Sequence, residues 1–161
     1  MNTTTVIRQI RPEEYPVLAD FLYLSIFVPP GSPEVPREIL KKPELQVYIE
    51  NFGRDDDCGF VAVCDGKIVG ACWARIMNDY GHIDDRTPSL ALAVLKDYRS
   101  QGIGSALLEA LFTELKARGW QQVSLSVQKK NRALHLYRRL GFRIFYENAE
   151  EYIMVRDLRK R

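Results

Sequence analysis

The sequence has little from which to build a metal centre or a disulfide framework. It holds two histidines and three cysteines. Cys58, Cys64 and Cys72 stand in apolar, strand-like runs at spacings that fit no zinc pattern. An odd number in such places reads as buried free thiols. Charge of one sign is also scarce. Twenty-three Lys and Arg against 21 Asp and Glu leave a net +2, which gives no bulk argument for nucleic acid. No apolar run is long enough to span a bilayer, and MNTTTVIRQIRPEE has no secretory core. These absences predict a cytoplasmic protein without membrane or nucleic-acid partners. There is no internal repeat and no low-complexity linker, so 161 residues are expected to form a single domain, 1–161.

What is present is a regular succession of strand and helix patterns. Thr5 to Ile10 reads as a strand. Acids at the following turn, Arg11-Pro12-Glu13-Glu14, precede Leu18, Phe21, Leu22, Ser25 and Ile26 at helical spacing. VPPGSPEVP, Val28 to Pro36, must be a loop. Ile39 to Phe52 is expected to be helical, interrupted near Pro43. Cys58–Cys64 and Lys67–Ile76 form a hairpin about Asp65-Gly66. Met77 to Pro88 is polar and loop-like. Ser89 to Leu95, SLALAVL, has the composition of a strand buried on both faces. Leu107, Leu108, Leu111 and Leu115 mark one helical face, closed by Gly119. Gln122–Val127 is a strand, Arg132–Leu140 a helix, and Arg143–Glu147 and Glu151–Val155 two closing strands. This order predicts an α/β fold, a mixed sheet covered by helices.

One junction carries chemistry. Directly after SLALAVL comes DYRSQGIGS, in which Gly102 and Gly104 can take positive φ and let a ligand approach the backbone. The helix that follows aims its unpaired N–H groups at the same place, which favours an anion. The turn has no GK[ST] for a P-loop and no third glycine for a dinucleotide fingerprint. It does carry R-x-x-G-x-G at Arg99, Gly102 and Gly104. Together with NRALHLYRRLGF, Asn131 to Phe142, it resembles the GNAT superfamily of acetyl-CoA-dependent N-acetyltransferases. The resemblance follows element order from Val6 to Val155 and is sharpest between Ser89 and Phe142.

The resemblance implies a mostly antiparallel mixed sheet with one splayed strand pair, and acetyl-CoA as cosubstrate with no metal. It implies that Arg99, Ser100, Gln101, Gly102, Ile103, Gly104 and Ser105 cradle the coenzyme diphosphate. It implies that Leu92, Ala93 and Val94 offer backbone groups to the pantetheine arm. Asn131 stands where relatives contact that arm, one residue closer to the tyrosine than usual, and an N-cap role competes. Lys96, Lys129, Lys130, Arg132, Arg138 and Arg139 surround the site in sequence, some as partners for the 3′-phosphate and others as solvated helix faces.

Tyr137 occupies the position of the family's general acid. A phenol with pKa about 10 is roughly 99.9% protonated at pH 7, so it can donate to a leaving thiolate. Its helical face also suits a core residue. The base is harder to place, because no acid occurs within SLALAVL or VSLSV. Asp84 and Asp85 before the strand, and Glu147, Glu150 and Glu151 near the last hairpin, are the candidates for a base or an acidic acceptor mouth, with His82 as another option. Deprotonating an alkyl ammonium at pH 7 costs about 4.6 kcal/mol, an α-amine only about 1.4 kcal/mol. The expected activity is acetyl transfer to a primary amine of a small molecule or a peptide. The segment from Phe21 to Phe52 is expected to form much of the acceptor site. The alternative is a non-catalytic acyl-CoA-binding module, and a homodimer is compatible with either.

Overall fold

The computed structural model describes residues 4–159. A seven-stranded sheet runs in the order β1-β2-β3-β4-β5-β7-β6. Its strands are β1 (Thr5–Gln9), β2 (Cys58–Cys64), β3 (Lys67–Arg75), β4 (Ser89–Val94), β5 (Gln122–Gln128), β6 (Arg143–Glu147) and β7 (Glu151–Asp157). Every neighbouring pair is antiparallel except β4 with β5. The helices are α1 (Val17–Ser25), the single turn α2 (Pro43–Gln46), α3 (Ile103–Ala117) and α4 (Ala133–Arg139). The expected mixed sheet with flanking helices is therefore the architecture found.

Alternation along the central strands divides the core. On one face Val61, Ala71, Trp73, Ala91 and Ala93 pack with Leu18, Phe21 and Leu22 of α1. On the other, Ala62, Cys72, Ala74 and Leu90 pack with Leu107, Leu108, Leu111 and Leu115 of α3. Burying a large aliphatic side chain contributes about 1.5–3 kcal/mol, so the four α3 leucines alone tie that helix firmly to the sheet. Asp65 and Gly66 both have positive φ, 52° and 77°, as the two-residue hairpin turn requires. The three thiols are free and buried. Burial pushes the Cys58 thiol up to about 11. Among the described residues no helix is long and apolar enough to cross a membrane.

The segment from Ile39 to Phe52 departs from the helical expectation. It forms a 3-10 turn at Arg37–Lys41, then α2, then turns. Pro36 and Pro43 restart the chain twice. Beyond α2, side chains from β3 take the carbonyls that a longer helix would use. Trp73 Nε1 donates to Tyr48 O at 2.9 Å, and Arg75 Nη1 donates to Glu50 O at 2.9 Å and Val47 O at 3.2 Å. Arg75 also makes a two-pronged ion pair with Asp57, at 3.0 and 2.9 Å, with 0% and 3% of the two side chains exposed. Asp57 in turn accepts from the Gly53 and Arg54 N–H groups at 2.9 and 3.0 Å. Residues 47–57 are thus fastened to the sheet through one buried guanidinium.

Candidate active site

The site follows from one discontinuity in the sheet. β4 and β5 are paired only at Ser89↔Ser124, and beyond that rung they diverge. Leu95 N bonds to Val69 O at 2.8 Å, across the Gly70↔Val94 pair. In an antiparallel ladder this makes Gly70↔Val94 a non-hydrogen-bonded pair, so Val94, and Leu92 two residues earlier, turn their backbone N–H and C=O away from β3. Both face the gap; Ala93 bonds to β3 instead.

Two cavities meet in this gap. The larger, about 730 Å³, runs between β4, the start of α3 and α4. It is lined by Leu92, Ala93, Val94, Arg99, Ser100, Gly102, Ile103, Gly104, Ser105 and Asn131, that is, by every residue expected at the coenzyme except Gln101, whose side chain donates to Asp97 O at 3.3 Å. Ser100 and Gly102 adopt left-handed conformations, φ 62° and 83°. They turn the chain so that the first turn of the 15-residue α3 opens on the cavity. A Cβ on Gly104 would stand 3.3 Å from Leu136 Cδ2, so α3 and α4 close on each other here over a residue without a side chain. Arg132 and Arg139 join the lining; Lys96, Lys129, Lys130 and Arg138 do not. Arg99 Nε donates to Val94 O at 2.9 Å, leaving the rest of its fork available. Helix N–H groups, guanidinium groups and an unpaired strand edge together suit a long ligand with an anionic head and an amide-bearing arm. Coenzyme A has that chemistry.

The smaller cavity, about 420 Å³, opens on the other side of the gap. Leu22, Ile39, Leu45, Tyr48 and Tyr80 give it an apolar and aromatic wall, and Glu150 and Glu151 a charged rim. Among the described residues no lysine or arginine lines it. Ser25, Ile26 and Phe27, at the end of α1, line both cavities, as do Asn131 and Tyr137. Tyr137 is the junction. Its ring is 7% exposed and meets Phe142 edge-on at 5.7 Å. Burial, with the nearby Cys72 thiol second, pushes the phenol above its ordinary pKa, so it stays a proton donor at neutral pH. Its hydroxyl makes no hydrogen bond among the described residues. Asn131 Oδ1 accepts from Ala133 N at 2.9 Å, which caps α4, the competing role read from the sequence.

The carboxylates singled out in the sequence do not converge. Asp84 accepts from Arg86 N at 2.8 Å and is exposed. The Asp85 side chain is 94% exposed, 3.8 Å from His82. Glu147 pairs with Lys129 at 2.7 Å on the outer strand β6. None of the three lines either cavity; Glu150 and Glu151 do. Asp79, not among those candidates, sits where β4 and β5 part. Ser89 Oγ donates to Asp79 Oδ1 at 2.6 Å, and Ser124 Oγ donates to Gly81 O at 2.7 Å. The two serines of the single rung thus hold both ends of the turn Asp79-Tyr80-Gly81. A Cβ on Gly81 would lie 2.9 Å from the Leu125 carbonyl carbon, so only glycine admits so close an approach. That glycine was the one signal in the sequence that this loop lies on a strand.

Comparison with known proteins agrees with this geometry. Residues 20–142 match the model of the acetyltransferase (GNAT) family. An N-alpha-acetyltransferase of Sulfurisphaera tokodaii is 32% identical over 127 residues, 69% of this chain and 75% of that protein. In fold, the chain resembles the PaiA N-acetyltransferase of Thermoplasma acidophilum, solved in complex with coenzyme A, with a TM-score of 0.70 at 18% identity over 96% and 99% of the two chains. It also resembles the ribosomal-protein-S18-alanine N-acetyltransferase of Escherichia coli, with a TM-score of 0.67 at 22% identity over 96% and 94%.

Proposed function

Since the chain belongs to the acetyltransferase (GNAT) family, we propose that it transfers acetyl from acetyl-CoA directly to the primary amine of a cationic acceptor with an apolar or aromatic arm. The observation that carries this reading is the meeting of two oppositely charged cavities at Tyr137. One is lined by Arg99, Arg132 and Arg139, the other by Glu150 and Glu151. An anionic coenzyme is drawn to the first and an ammonium to the second. The apolar wall of the second accommodates the rest of the acceptor. The name of the Sulfurisphaera relative favours an α-amine among the candidates, as does the smaller cost of deprotonating one.

Acetyl-CoA supplies a thioester carbonyl. In this reading Arg99 to Ser105 hold the diphosphate, and Leu92 and Val94 pair with the amides of the arm. The neutral amine forms its bond to the carbonyl carbon. Negative charge gathering on the carbonyl oxygen meets a β4 backbone N–H near Val94. The carbon–sulfur bond breaks, the Tyr137 hydroxyl gives its proton to the departing sulfur, and the proton that the nitrogen loses in becoming an amide restores the phenol. Gln101 stands outside the cavity lining and Asn131 is engaged as a cap, so both have secondary parts at most.

Coenzyme A binding tests the first half. A ligand that binds only the native state raises stability by about 2.7 kcal/mol at a hundredfold excess over Kd, which a thermal shift reads. Gly104→Val, which must displace Leu136, is expected to lose that shift while remaining folded. An unchanged shift would leave the turn without a binding role. The second half is tested by a panel of α-amines, alkylamines and anionic amino acids, followed by release of free thiol. Cationic amines are expected to be acetylated fastest, and a preference for an anionic acceptor would refute the assignment of the second cavity.

A further inference from the structure

The acceptor cavity needs a group that takes the proton of an incoming ammonium, and none of the acids along its rim is held in place for that. Glu150 is exposed in the turn of the outer hairpin, and Glu151, half-buried, is the first residue of β7. A different carboxylate is fixed at the apex of the gap. Asp79 Oδ1 is taken by Ser89. Its other oxygen, Oδ2, is buried and accepts no well-formed hydrogen bond. A buried carboxylate oxygen without a partner is costly, and the usual reasons for tolerating one are functional. Beside it stands the Tyr48 hydroxyl, which also adjoins Ser126 and the Tyr80 backbone N–H. Tyr48, Tyr80 and Ser126 all line the acceptor cavity; Asp79 lies one step behind them. Tyr48 is itself held on β3 by Trp73, and its neighbours by Arg75.

We propose that Asp79 is the proton acceptor for the acceptor amine, reached through the hydroxyl of Tyr48. The ammonium gives a proton to the Tyr48 oxygen, directly or through one water, as the Tyr48 proton passes to Asp79 Oδ2. The products are a neutral amine, an unchanged phenol and a carboxylic acid, so charge and protons balance. The proton leaves Asp79 for solvent by the same route once the acetylated product has gone. Burial raises the carboxyl above the ordinary aspartate value, against the lowering effect of its Ser89 and Tyr48 neighbours, which makes it a better acceptor than a free aspartate. The other titratable groups around it are Tyr80 and His82 on its own loop, with Glu44 and Glu151 beyond Tyr80. His82 Nδ1 is buried without a partner, and its Nε2 faces Asp85.

This inference rests on the acetyl-transfer reading, so its test has an arm that needs no acceptor. The Asp79 carboxyl is followed by ¹³C NMR against pH with coenzyme A bound, assigned through its loss in Asp79→Asn. It is expected to titrate above the ordinary carboxyl range and to rise further in Tyr48→Phe, which removes a nearby hydroxyl dipole that favours the ionised carboxylate. An ordinary aspartate titration, indifferent to Tyr48, overturns the proposal whatever the acceptor. The kinetic arm compares 2-phenylethylamine, cationic at pH 7, with methoxyamine, which is already neutral. Asp79→Asn keeps the acceptor for Ser89, and should lower kcat for 2-phenylethylamine about 10²-fold. The KM for acetyl-CoA and the rate with methoxyamine should stay near wild type. The acid limb of the wild-type pH profile, where activity falls as the carboxyl protonates, should vanish. Equal losses with both nucleophiles would mean that Asp79 only holds the loop, and would overturn the proposal. Should wild type acetylate neither probe, the acceptor assignment falls, and the titration alone decides for or against Asp79.

Discussion

Removing the single oxygen of Tyr137 separates chemistry from binding. Tyr137→Phe leaves the ring where it is, packed edge-on against Phe142. The hydroxyl has no partner among the described residues, so its loss orphans nothing and stability should change by less than about 1 kcal/mol. Coenzyme affinity should stay near wild type, because the interaction with sulfur grows only as the carbon–sulfur bond breaks. The kinetic effect is set by two acidities. Burial holds the phenol above its ordinary value, so the donor is fully protonated at pH 7. The leaving thiol, with pKa about 8.5, departs fairly well unaided. The lower end of general-acid contributions applies, about 10²-fold in kcat, or about 2.7 kcal/mol of barrier. The assay is kcat with a saturating amine, followed through free thiol, beside Kd for acetyl-CoA from calorimetry. An unchanged kcat, with chemistry shown to limit turnover, would refute the role and return Tyr137 to the core. A large fall in affinity would equally refute it, since the hydroxyl would then serve the ground state.

Two further predictions concern the frame around the site. Arg75→Met leaves Asp57 buried without its cation, which costs about 3–5 kcal/mol. For a domain of this size that lowers Tm by on the order of 10 °C, and loosening of residues 47–57 should raise the KM for the acceptor more than that for acetyl-CoA; a loss of less than 1 kcal/mol in urea would contradict the assigned role. The second prediction concerns Glu14, whose carboxyl is held down at about 2, chiefly by two hydrogen bonds from Arg8 and also by the Arg11 backbone N–H. A depressed folded value contributes stability above the unfolded value of 4.5 and loses it as pH falls through about 2. Wild type should therefore exceed Glu14→Gln by at most about 1 kcal/mol at pH 7, and the two urea midpoints should converge towards pH 2.

The larger cavity was legible because the segments that line it are contiguous. The run from Ser89 to Ser105 carries strand, glycine turn and helix start in one piece, and local rules suffice for each. HLYRRLGF likewise contains its tyrosine, its helix and its stop. The smaller cavity is lined by segments whose shape is decided elsewhere. Nothing near Tyr48 announces that Trp73 and Arg75 will take the carbonyls around it, so a helix was the natural expectation there. Asp84 and Asp85 stand nearer to β4 in sequence than Asp79 does. The chain folds back at Gly81, however, and it is the farther aspartate that meets Ser89. Proximity in sequence failed because one glycine reverses the loop.

The parting of β4 and β5 has a consequence for how the molecule avoids itself. A sheet margin with free N–H and C=O groups invites other strands, and proteins ordinarily defend theirs with charge, bulges or cover. Here a margin without a neighbouring strand, with Val94 O taken by Arg99 Nε, lies in the middle of the sheet. The backbone groups of Leu92 and Val94 face an opening flanked by α3, α4 and the end of α1, which cover the margin in place of a neighbouring strand. The elements that frame the cavity therefore double as the cover that an inner margin of this kind requires.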